Sequence, residues 1–416
     1  MVSESLAMKI LHSIGTLDPA WGGPVETVRQ LGCALMRQGH QVEVSCLDSP
    51  GAPWLKSFPI PAYALGPGWG TYGYSPRWTA WLRANAHRYD IAVVHGIWQY
   101  HSLGTWRVLR QRGLPYVVYP HGALDPWFRR CHRLKHVKKW MYWQWAEYRV
   151  LRDAEAVLFT SEAERLAARE SFRRYRAREM TVGGGTASPA GAAQQQTACF
   201  YHAFPELRGK RLVLYLGRLH PRKAADLVIR AFAAVMAADA GWHLVMAGPD
   251  PIHWKRRLVS LAESCGVGRR IAWIDMLAGD AKWGALRAAD ALCLPSHGEN
   301  FSLAVAEALA CGTPVLISDR VNVWREVEAA EAGLVAADTC EGACALLRQW
   351  LLLEGEQRRR MRRQARSCFE ESFDVGKAAG RLADVLAGAC AGRAARPQYS
   401  LLRSGASPGV SPGQSG

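Results

Sequence analysis

The stretch Cys293–Ser318, CLPSHGENFSLAVAEALACGTPVLIS, contains the signals of one βαβ unit. The apolar run 291–294 predicts a strand, and the Pro, Ser, Gly and Asn of 295–300 predict a turn. Ser302 is expected to cap a helix, which the Gly-Thr-Pro that follows would stop. The apolar, β-rich run 314–318 predicts a second strand.

Two carboxylates mark this unit, Glu299 in the turn and Glu307 in the helix. A helix that starts after a loop of small residues offers free N–H groups and the positive end of its dipole, which suits a phosphate. One acid lies beside that position and the other about a turn and a half along the helix. They could bind hydroxyls on either side of a diphosphate, which is the arrangement that a nucleotide-sugar requires.

The composition indicates a globular protein of two domains with an unusual charge. The chain has 416 residues, of which 49% are hydrophobic and 21% charged, and its formal net charge is +16. A length of this kind allows two domains with ample cores. The positive charge predicts acidic partners: a phosphorylated substrate, anionic lipid headgroups or nucleic acid.

Cysteine spacing and the N-terminus favour a cytoplasmic protein. The 11 cysteines are scattered without a Cys-x-x-Cys pair, which predicts reduced thiols instead of disulfides or zinc ligands. The sequence contains no run of 18 apolar residues, so no membrane span is expected, and the N-terminus lacks the pattern of a signal peptide. Translation could start at Met1 or at Met8, where the first strand is expected.

The N-terminal part predicts a first α/β domain. Lys9–Ile14 has the pattern of a strand, Gly22-Gly23 forms a glycine turn, and Val25–Gln38 has helical spacing. A glycine turn at the carboxyl end of a first strand is where open α/β sheets bind ligands. The spacing is not G-x-G-x-x-G, so the nicotinamide fingerprint is absent, and a simple tight turn remains the alternative.

Two His-Gly pairs follow buried strands of this domain. His95 ends the strand 91–94, and His121 follows the strand 116–119. A single histidine of this kind is usually a satisfied loop residue, but two at equivalent positions point to one crevice. Both are therefore candidates for the acceptor side of a ligand site.

A basic helix with interleaved aromatic residues is expected over Arg129–Arg152. Its Lys, Arg, Trp and Tyr are typical of a helix at a membrane interface. The alternative is a core helix whose aromatic rings point inward while the cations face water. Nucleic acids attract the same residue types, but no known motif accompanies them, so no nucleic-acid partner is expected.

A second α/β set begins at Arg211, after a Gly-, Ala- and Gln-rich linker over 180–196. Arg218 and Lys223 lie in the loop after its first strand, at a carboxyl end where ligands bind. They could converge on one diphosphate, with Arg as a fork and Lys as a point charge. From Ala329 onward the pattern is mostly helical.

Taken together, these motifs resemble family 4 retaining glycosyltransferases of GT-B fold, of the type that assembles bacterial exopolysaccharides or surface glycans. The resemblance rests on Gly217-Arg218…Lys223 and on Glu299 and Glu307, whose spacing is that family's E-x7-E signature. The first domain, with Pro120-His121-Gly122, looks like the family's acceptor domain. The resemblance covers roughly residues 8 to 390.

The resemblance implies a role for each candidate residue. Arg218 and Lys223 would bind the donor diphosphate and stabilise the charge on the leaving group. Glu307 would bind the ribose, Glu299 would face the transferred sugar, and His121 would reach it from the other domain. The implied sets are catalytic Glu299, His121, Arg218 and Lys223; donor-binding Arg218, Lys223, Glu299, Asn300, Phe301, Ser302, Leu303 and Glu307; and acceptor-side Gly22, Gly23, His95 and His121.

The sequence departs from the family pattern at several positions. Ala224 and Ser302 stand where the family commonly has glycine, as does Asp275 in the region expected to hold the base. A glycine-rich run replaces the usual Pro-Asn-Gly in 181–187. No D-x-D motif is present, so no metal and no further cofactor are expected, and charge neutralisation falls to the two basic residues.

The prediction is therefore an α/β protein of GT-B fold, with two Rossmann-like parallel-sheet domains facing each other across a cleft. The expected parts are an acceptor-side domain at 8–196, a donor domain at 207–375, a C-terminal helix at 376–390 and a disordered tail at 391–416. The expected activity is retaining transfer of a sugar from a nucleotide-diphosphate sugar to a glycan or polyprenyl-linked acceptor, in the cytoplasm or on the inner face of the plasma membrane. The alternatives are a nucleotide-sugar epimerase or phosphorylase, and a basic membrane- or nucleic-acid-binding scaffold.

Overall fold

The computed structural model describes residues 7–126 and 133–394, which form two α/β domains. The first has a parallel sheet of seven strands in the order β3-β2-β1-β4-β5-β6-β7. Its strands are β1 Lys9–Ile14, β2 Gln41–Cys46, β3 Ala62–Ala64, β4 Ile91–His95, β5 Tyr116–Tyr119, β6 Ala156–Phe159 and β7 Glu179–Thr181. Its helices include α1 Gly23–Arg37, α2 Pro76–Asn85, α3 Tyr100–Arg112, α4 Arg133–Trp145, α5 Glu147–Arg152 and α6 Glu162–Arg169.

The second domain has a parallel sheet of six strands in the order β10-β9-β8-β11-β12-β13. Its strands are β8 Arg211–Leu216, β9 Trp242–Ala247, β10 Ile271–Ile274, β11 Ala291–Leu294, β12 Val315–Ser318 and β13 Gly333–Ala336. Its helices include α7 Ala193–Ala203, α8 Ala225–Met236, α9 Lys255–Ser264, α10 Gly279–Ala288, α11 Leu303–Ala310, α12 Trp324–Ala329, α13 Cys340–Leu352 and α14 Gly355–Cys368, and α15 Val375–Ala394 follows this domain.

The central strands of both sheets are buried on both faces. β4 (IAVVH) and β11 (ALCL) are apolar at nearly every position, as expected of parallel strands that are covered by helices on each side. In each sheet the chain order reverses beside the first strand, between β1 and β4 and between β8 and β11. Open α/β sheets bind ligands at such reversals, outside the carboxyl ends of the strands. The fold therefore places candidate site residues at these two points.

The chain crosses between the domains twice. After β7 it passes through Gly183–Gly185 and enters α7, which packs on α10 with Phe200 buried in the second core. The predicted boundary at residue 196 thus falls inside a helix of the second domain. After the second domain, α15 returns to the first and buries Ala379, Leu382 and Leu386 against its core.

The predicted fold class is confirmed, while several local predictions are wrong. The short edge strands β7 and β13 were not predicted. The expected basic helix is interrupted at Ala146, which divides α4 from α5, and its first residues, 129–132, lie outside the described part. The last helix, α15, continues to Ala394, so residues 391–394 of the tail predicted at 391–416 are helical, and 395–416 lie outside the described part. None of the helices in the described ranges has the length and apolarity needed to span a bilayer.

Candidate active site

A cleft of about 980 Å³ separates the two domains. It opens at the carboxyl ends of the strands, where both chain reversals lie. The residues that line it from the first domain include His121, Gly122, Asp125, Lys139 and Glu164, and those from the second include Arg218, Arg222, Lys223, Glu299, Asn300, Asn322 and Arg325. The four residues predicted to be catalytic therefore lie in one cleft.

An ion pair forms the centre of the second-domain wall. Lys223, in the loop after β8, pairs with Glu299, in the loop after β11. Ser296 also contacts this carboxylate, with 3.4 Å between its Oγ and Oε1 of Glu299. The side chain of Glu299 is 8% exposed, so its charge is balanced mainly by the lysine. The ion pair thus joins the two motifs that the sequence placed 76 residues apart.

Arg218 lies in the same loop as Lys223, and its side chain is exposed at the cleft. Its loop begins where Gly217 approaches Gly248 so closely that a Cβ at Gly248 would lie 2.0 Å from the carbonyl oxygen of Gly217. The Tyr215 hydroxyl donates to the carbonyl oxygen of Arg218 at 3.0 Å. Within the described ranges, the guanidinium of Arg218 makes no side-chain hydrogen bond or ion pair that would compete with an anionic ligand.

Helix α11 begins directly after this ion pair. Ser302 is its N-cap residue and Ala310 its last residue, as predicted, but Ser302 has a φ of 56°, in the left-handed region, and its hydroxyl caps no amide. The amides of 300–304 donate to no acceptor among the described residues. They lie at the positive end of the helix dipole, which favours an anion.

Glu307 lies further along α11 and is buried. Lys282, on α10, donates to its Oε1 at 2.6 Å. Burial raises the pKa of this carboxyl, and Lys282 opposes that shift. Glu307 is not among the residues that line the cleft cavity, so its predicted contact with a ribose remains a proposal. Lys282 was not predicted because it is an ordinary cation on a helix surface in the sequence.

The first-domain wall is built on the buried carboxylate of Glu164. This residue accepts from the Gly122 amide at 2.8 Å, and from the amide and hydroxyl of Thr160 at 2.9 and 2.8 Å. The side chain of Asn300, from the opposite domain, favours the ionised form of this carboxyl. Burial raises the pKa of Glu164. The carboxylate holds the His121–Gly122 turn, both residues of which have positive φ, against the facing domain.

Three imidazoles form a hydrogen-bonded chain that ends at this wall. His121 Nε2 lies 2.9 Å from Nδ1 of His95, and His95 Nε2 lies 2.7 Å from Nδ1 of His12. The rings are stacked, with Tyr119 against two of them. Burial lowers the pKa of both His12 and His121 to about 4, and that of His95 well below its usual value. All three rings are therefore neutral at pH 7.

The remaining predicted residues are not among those that line the cleft cavity. Gly22 and Gly23 open α1, where Gly22 has a φ of 71°. His95 is buried behind His121. Phe301 packs on Phe373 and on Gly184, where a Cβ would lie 2.5 Å from its ring. Leu303 is the first residue of α11.

A further ion pair crosses the cleft. Arg222, next to Lys223, donates to Oδ2 of Asp125 at 2.8 Å. Lys139, from α4, lines the cleft and lies 4.9 Å from the ring centroid of Trp98. Asp125, Arg222 and Lys139 were not predicted as site residues, although Asp125 follows the His121 motif and Arg222 lies in the same loop as Lys223. Their proximity in the chain to predicted site residues was the available signal.

Each domain matches a known family. Residues 22–185 match the family described as "Glycosyl transferase 4-like domain", and residues 202–367 match "Glycosyl transferases group 1". Curated relatives include the D-inositol 3-phosphate glycosyltransferases of Rhodococcus opacus and Actinosynnema mirum. They are 35% identical over 30% of this chain and 38% identical over 25% of it. These matches cover 29% and 27% of the relatives, so the chain spans less than a third of their length.

Solved structures show the same two-domain arrangement. Anabaena Alr3699/HepE, crystallised in complex with UDP and glucose, matches with a TM-score of 0.73 and 17% identity over 92% of this chain and 100% of that one. Sucrose-phosphate synthase from Thermosynechococcus elongatus matches with a TM-score of 0.73 and 21% identity, over the same shares. The chain therefore has the GT-B fold, with a glycosyltransferase-family domain on each side of its cleft.

Proposed function

We propose that the protein transfers a sugar from a nucleotide-diphosphate sugar to a glycan or lipid-linked acceptor, with retention of anomeric configuration. The observation that carries this proposal is the position of Arg218, Lys223 and Glu299 opposite His121 across one cleft. The bond from the anomeric carbon to the phosphate oxygen breaks, and its electron pair leaves with the nucleoside diphosphate. The acceptor oxygen forms the new bond, and its proton passes to the departing phosphate.

The donor diphosphate would lie between the cations and the start of α11. Arg218 and Lys223 provide positive charge, and the amides of 300–303 provide N–H donors. Such donors act most strongly on charge that develops as the leaving group departs. Lys223 would exchange part of its contact with Glu299 for the phosphate, which would leave that carboxylate able to accept a sugar hydroxyl. No metal or further cofactor is needed in this account.

Glu307 would bind the ribose. Its Oε1 is held by Lys282 at 2.6 Å, which leaves Oε2 to accept from a hydroxyl. Glu299 precedes α11 and Glu307 lies within it. The sugar and the ribose would therefore lie on either side of a diphosphate bound at the start of the helix. Because Anabaena Alr3699/HepE was solved with UDP and with UDP-glucose, uridine nucleotides are the first candidates to test.

With retention proposed, three carboxylates that line the cleft bear on its route, that is, on whether a covalent intermediate between sugar and enzyme forms. Glu299 pairs with Lys223, Asp125 pairs with Arg222, and Glu164 accepts from three donors in the first domain. Each is held by protein donors, which disfavours a role as the nucleophile of a double displacement. The departing phosphate is then the base that takes the acceptor proton, from the same face of the sugar.

The acceptor side includes a helix with an exposed apolar stripe, the α4 stripe, formed by Val137, Trp140, Met141 and Trp145. Exposed Lys138 and Arg149 flank it. Trp143 of the same helix is buried, as the core-helix alternative expects, while the exposed face is the one that we propose meets a membrane. Lys139 of α4 lines the cleft, which would place a membrane-bound acceptor next to the donor. The stripe suits an anionic lipid surface and a role in exopolysaccharide or surface-glycan synthesis on the cytoplasmic face.

The activity is tested with a panel of UDP- and GDP-sugars. Phosphorus NMR would follow release of the nucleoside diphosphate, and proton NMR would identify the first anomer of the sugar transferred to water or to an added alcohol. Retention predicts that an α-linked donor yields the α anomer first. Lys210→Ala, a change at an exposed lysine away from the cleft, is the matched control for Lys223→Ala.

Other outcomes identify the alternatives. An epimerase would change the sugar while it stays attached to the nucleotide, and a phosphorylase would consume donor only when phosphate is added. If no donor is consumed and none raises the melting temperature, the site is degenerate and the transferase proposal fails.

Membrane association is tested by flotation with vesicles of phosphatidylcholine alone or mixed with phosphatidylglycerol. The wild-type protein should float only with the anionic vesicles, and less at high salt. Trp140→Ser with Trp145→Ser should abolish flotation, whereas Met276→Ser, at an exposed residue of the second domain, should not. Equal flotation of all variants would contradict a role for the α4 stripe.

A further inference from the structure

The chain of three histidines in the first domain has a direction. A neutral imidazole carries one N–H and one bare nitrogen, so it donates one hydrogen bond and accepts one. In a row of neutral rings linked nitrogen to nitrogen, each donor must meet an acceptor. The row His12–His95–His121 can therefore hold its protons in only two ways, one the reverse of the other.

The two arrangements present different atoms to the cleft. If His12 Nδ1 carries its proton, His95 carries its own on Nδ1, and so does His121. His121 then offers an N–H at the nitrogen not used inside the chain. In the reverse arrangement all three rings carry the proton on Nε2, and His121 offers a bare nitrogen that can only accept.

The buried end of the row favours the first arrangement. His12 lies in β1 and is fully buried, and its Nε2 has no hydrogen-bond partner among the described residues. In the reverse arrangement this nitrogen would be an N–H with no acceptor, and orphaned buried N–H groups are rarer than under-used acceptors. In the first arrangement it is a bare nitrogen.

A neighbouring histidine, His101, shows that the core of this domain can contain an unprotonated ring nitrogen without a hydrogen-bond partner. His101 Nε2 lies 2.8 Å from the carbonyl oxygen of His95, and a carbonyl can only accept, so this nitrogen carries the proton. The other ring nitrogen of His101, Nδ1, is therefore bare, and it is buried without a partner among the described residues. The same packing environment thus contains the feature that the first arrangement requires at His12.

We propose that His12 and His95 are positioning residues that hold His121 in the tautomer with its proton on Nδ1, so that His121 donates a hydrogen bond to an oxygen of the bound sugar nucleotide. This inference rests on the proposed function for the identity of the ligand, but not for the tautomer. His121 lines the cleft, its Nε2 is occupied by His95, and Nδ1 is the ring nitrogen that remains. An N–H there can donate to an oxygen of the sugar, whose lone pairs a bare nitrogen would repel.

The tautomer is measured by nitrogen NMR of protein labelled with ¹⁵N-histidine, at pH 7 and without ligand. The signals of His121 are identified by their loss in His121→Asn, with His202→Gln, at an exposed histidine, as the assignment control. The expected spectrum shows a protonated Nδ1 and a bare Nε2 for His121. A protonated Nε2, or a mixture of tautomers, would overturn the proposal without reference to any activity.

A second measurement tests the positioning role. His12→Phe keeps an aromatic ring in the core but removes the donor to His95, so His121 should become a mixture of tautomers and the turnover number should fall about tenfold with little change in KM. His12→Gln restores an N–H and should recover most of the loss. Equal losses in the two variants, with an unchanged His121 tautomer, would mean that His12 only packs.

Ligand addition separates this inference from the proposed function. A UDP-sugar that binds should shift the Nδ1–H resonance of His121, while UDP alone should leave it unchanged. If a sugar nucleotide is turned over and this resonance does not move, the donor role of His121 is wrong. If no sugar nucleotide binds but the tautomer is as expected, the proposed function fails and the internal order of the histidine chain stands.

Discussion

The two walls of the cleft are built by different physical means. The second-domain wall is centred on a charged pair, Lys223 with Glu299, and a second pair, Lys282 with Glu307, lies on helices α10 and α11 outside the cleft cavity. The wall of the first domain consists of neutral rings and of one buried carboxylate, Glu164, which is held by several donors. Paired charges can exchange partners when an anionic ligand arrives, whereas a hydrogen-bonded row fixes atoms before it arrives. The difference suggests that one wall neutralises the leaving group and the other orients the sugar.

The largest effect is expected from the charged wall. Lys223→Ala removes the cation nearest Glu299 and leaves that buried carboxylate without its ion pair, so kcat/KM should fall about 10³-fold, as when a preorganised group that stabilises developing charge is lost. Steady-state release of nucleoside diphosphate measures this.

The control for this prediction is Lys210→Ala, which should retain the activity of the wild type. A loss below about fivefold in Lys223→Ala would mean that the ion pair is structural and that charge stabilisation lies elsewhere.

The neutral wall should contribute less. His121→Leu removes one hydrogen bond to the sugar without changing any charge at pH 7, so kcat should fall about 10²-fold while nucleoside-diphosphate affinity stays close to that of the wild type. Turnover assays and isothermal titration with UDP would measure the two quantities. Weaker UDP binding in this variant would remove the distinction between the walls.

The parts of this comparison that lie in motifs could be predicted from the sequence. Lys223, Glu299 and His121 follow apolar strands directly, and the topology of parallel sheets brings such positions together. Lys282 and Glu164 lie on helices with ordinary spacing, so only the folded chain shows which charge or amide they contact. His12 sits inside an apolar strand and resembles a core residue. β7 and β13 were missed because they are short edge strands, and α7 because its Ala- and Gln-rich sequence resembles a linker.

The free energy of unfolding should depend on pH because the buried histidines of the first domain are neutral in the folded protein. The pKa of His12 is about 4 in the folded protein and 6.5 in the unfolded chain, so the unfolded state binds more protons between these values. Stability is therefore present above pH 6.5 and is lost as the pH falls, by up to about 2 kcal/mol for one such ring between pH 6.5 and 5. His95, His101 and His121 act in the same direction.

The buried carboxyl of Glu147 opposes this loss of stability at low pH. The effect of His12 is therefore measured as the difference between the wild type and a variant that lacks this ring. Burial raises the pKa of Glu147 to about 7, and its protonated form stabilises the fold as the pH falls through that value. Urea unfolding of the wild type and of His12→Phe at pH 6.5 and 5 isolates one ring. The variant should lose less stability on acidification than the wild type. Identical losses would contradict a neutral buried His12.

The smallest effect is expected from a change in the ion pair that joins the two walls. Arg222 and Asp125 form a partly exposed ion pair across the cleft, and pairs of this kind contribute about 0.2–1 kcal/mol. Asp125→Asn should therefore raise the KM for the donor only a few-fold, by weakening the closed arrangement of the domains. Asp239→Asn, which weakens an exposed pair with Arg211, should have no effect on KM. A loss as large as that of Lys223→Ala would mean that this pair takes part in the reaction.

Thermal stabilisation by UDP and by UDP-sugars, compared among the wild type, Lys223→Ala and His121→Leu, tests the central claim most directly. Since a ligand that binds only the folded state raises the melting temperature, each wall's contact is measured separately. UDP should stabilise the wild type and His121→Leu but not Lys223→Ala, and the additional stabilisation by the sugar should be lost in His121→Leu. If the ligands stabilise all three proteins equally, the cleft does not hold a sugar nucleotide between these two walls.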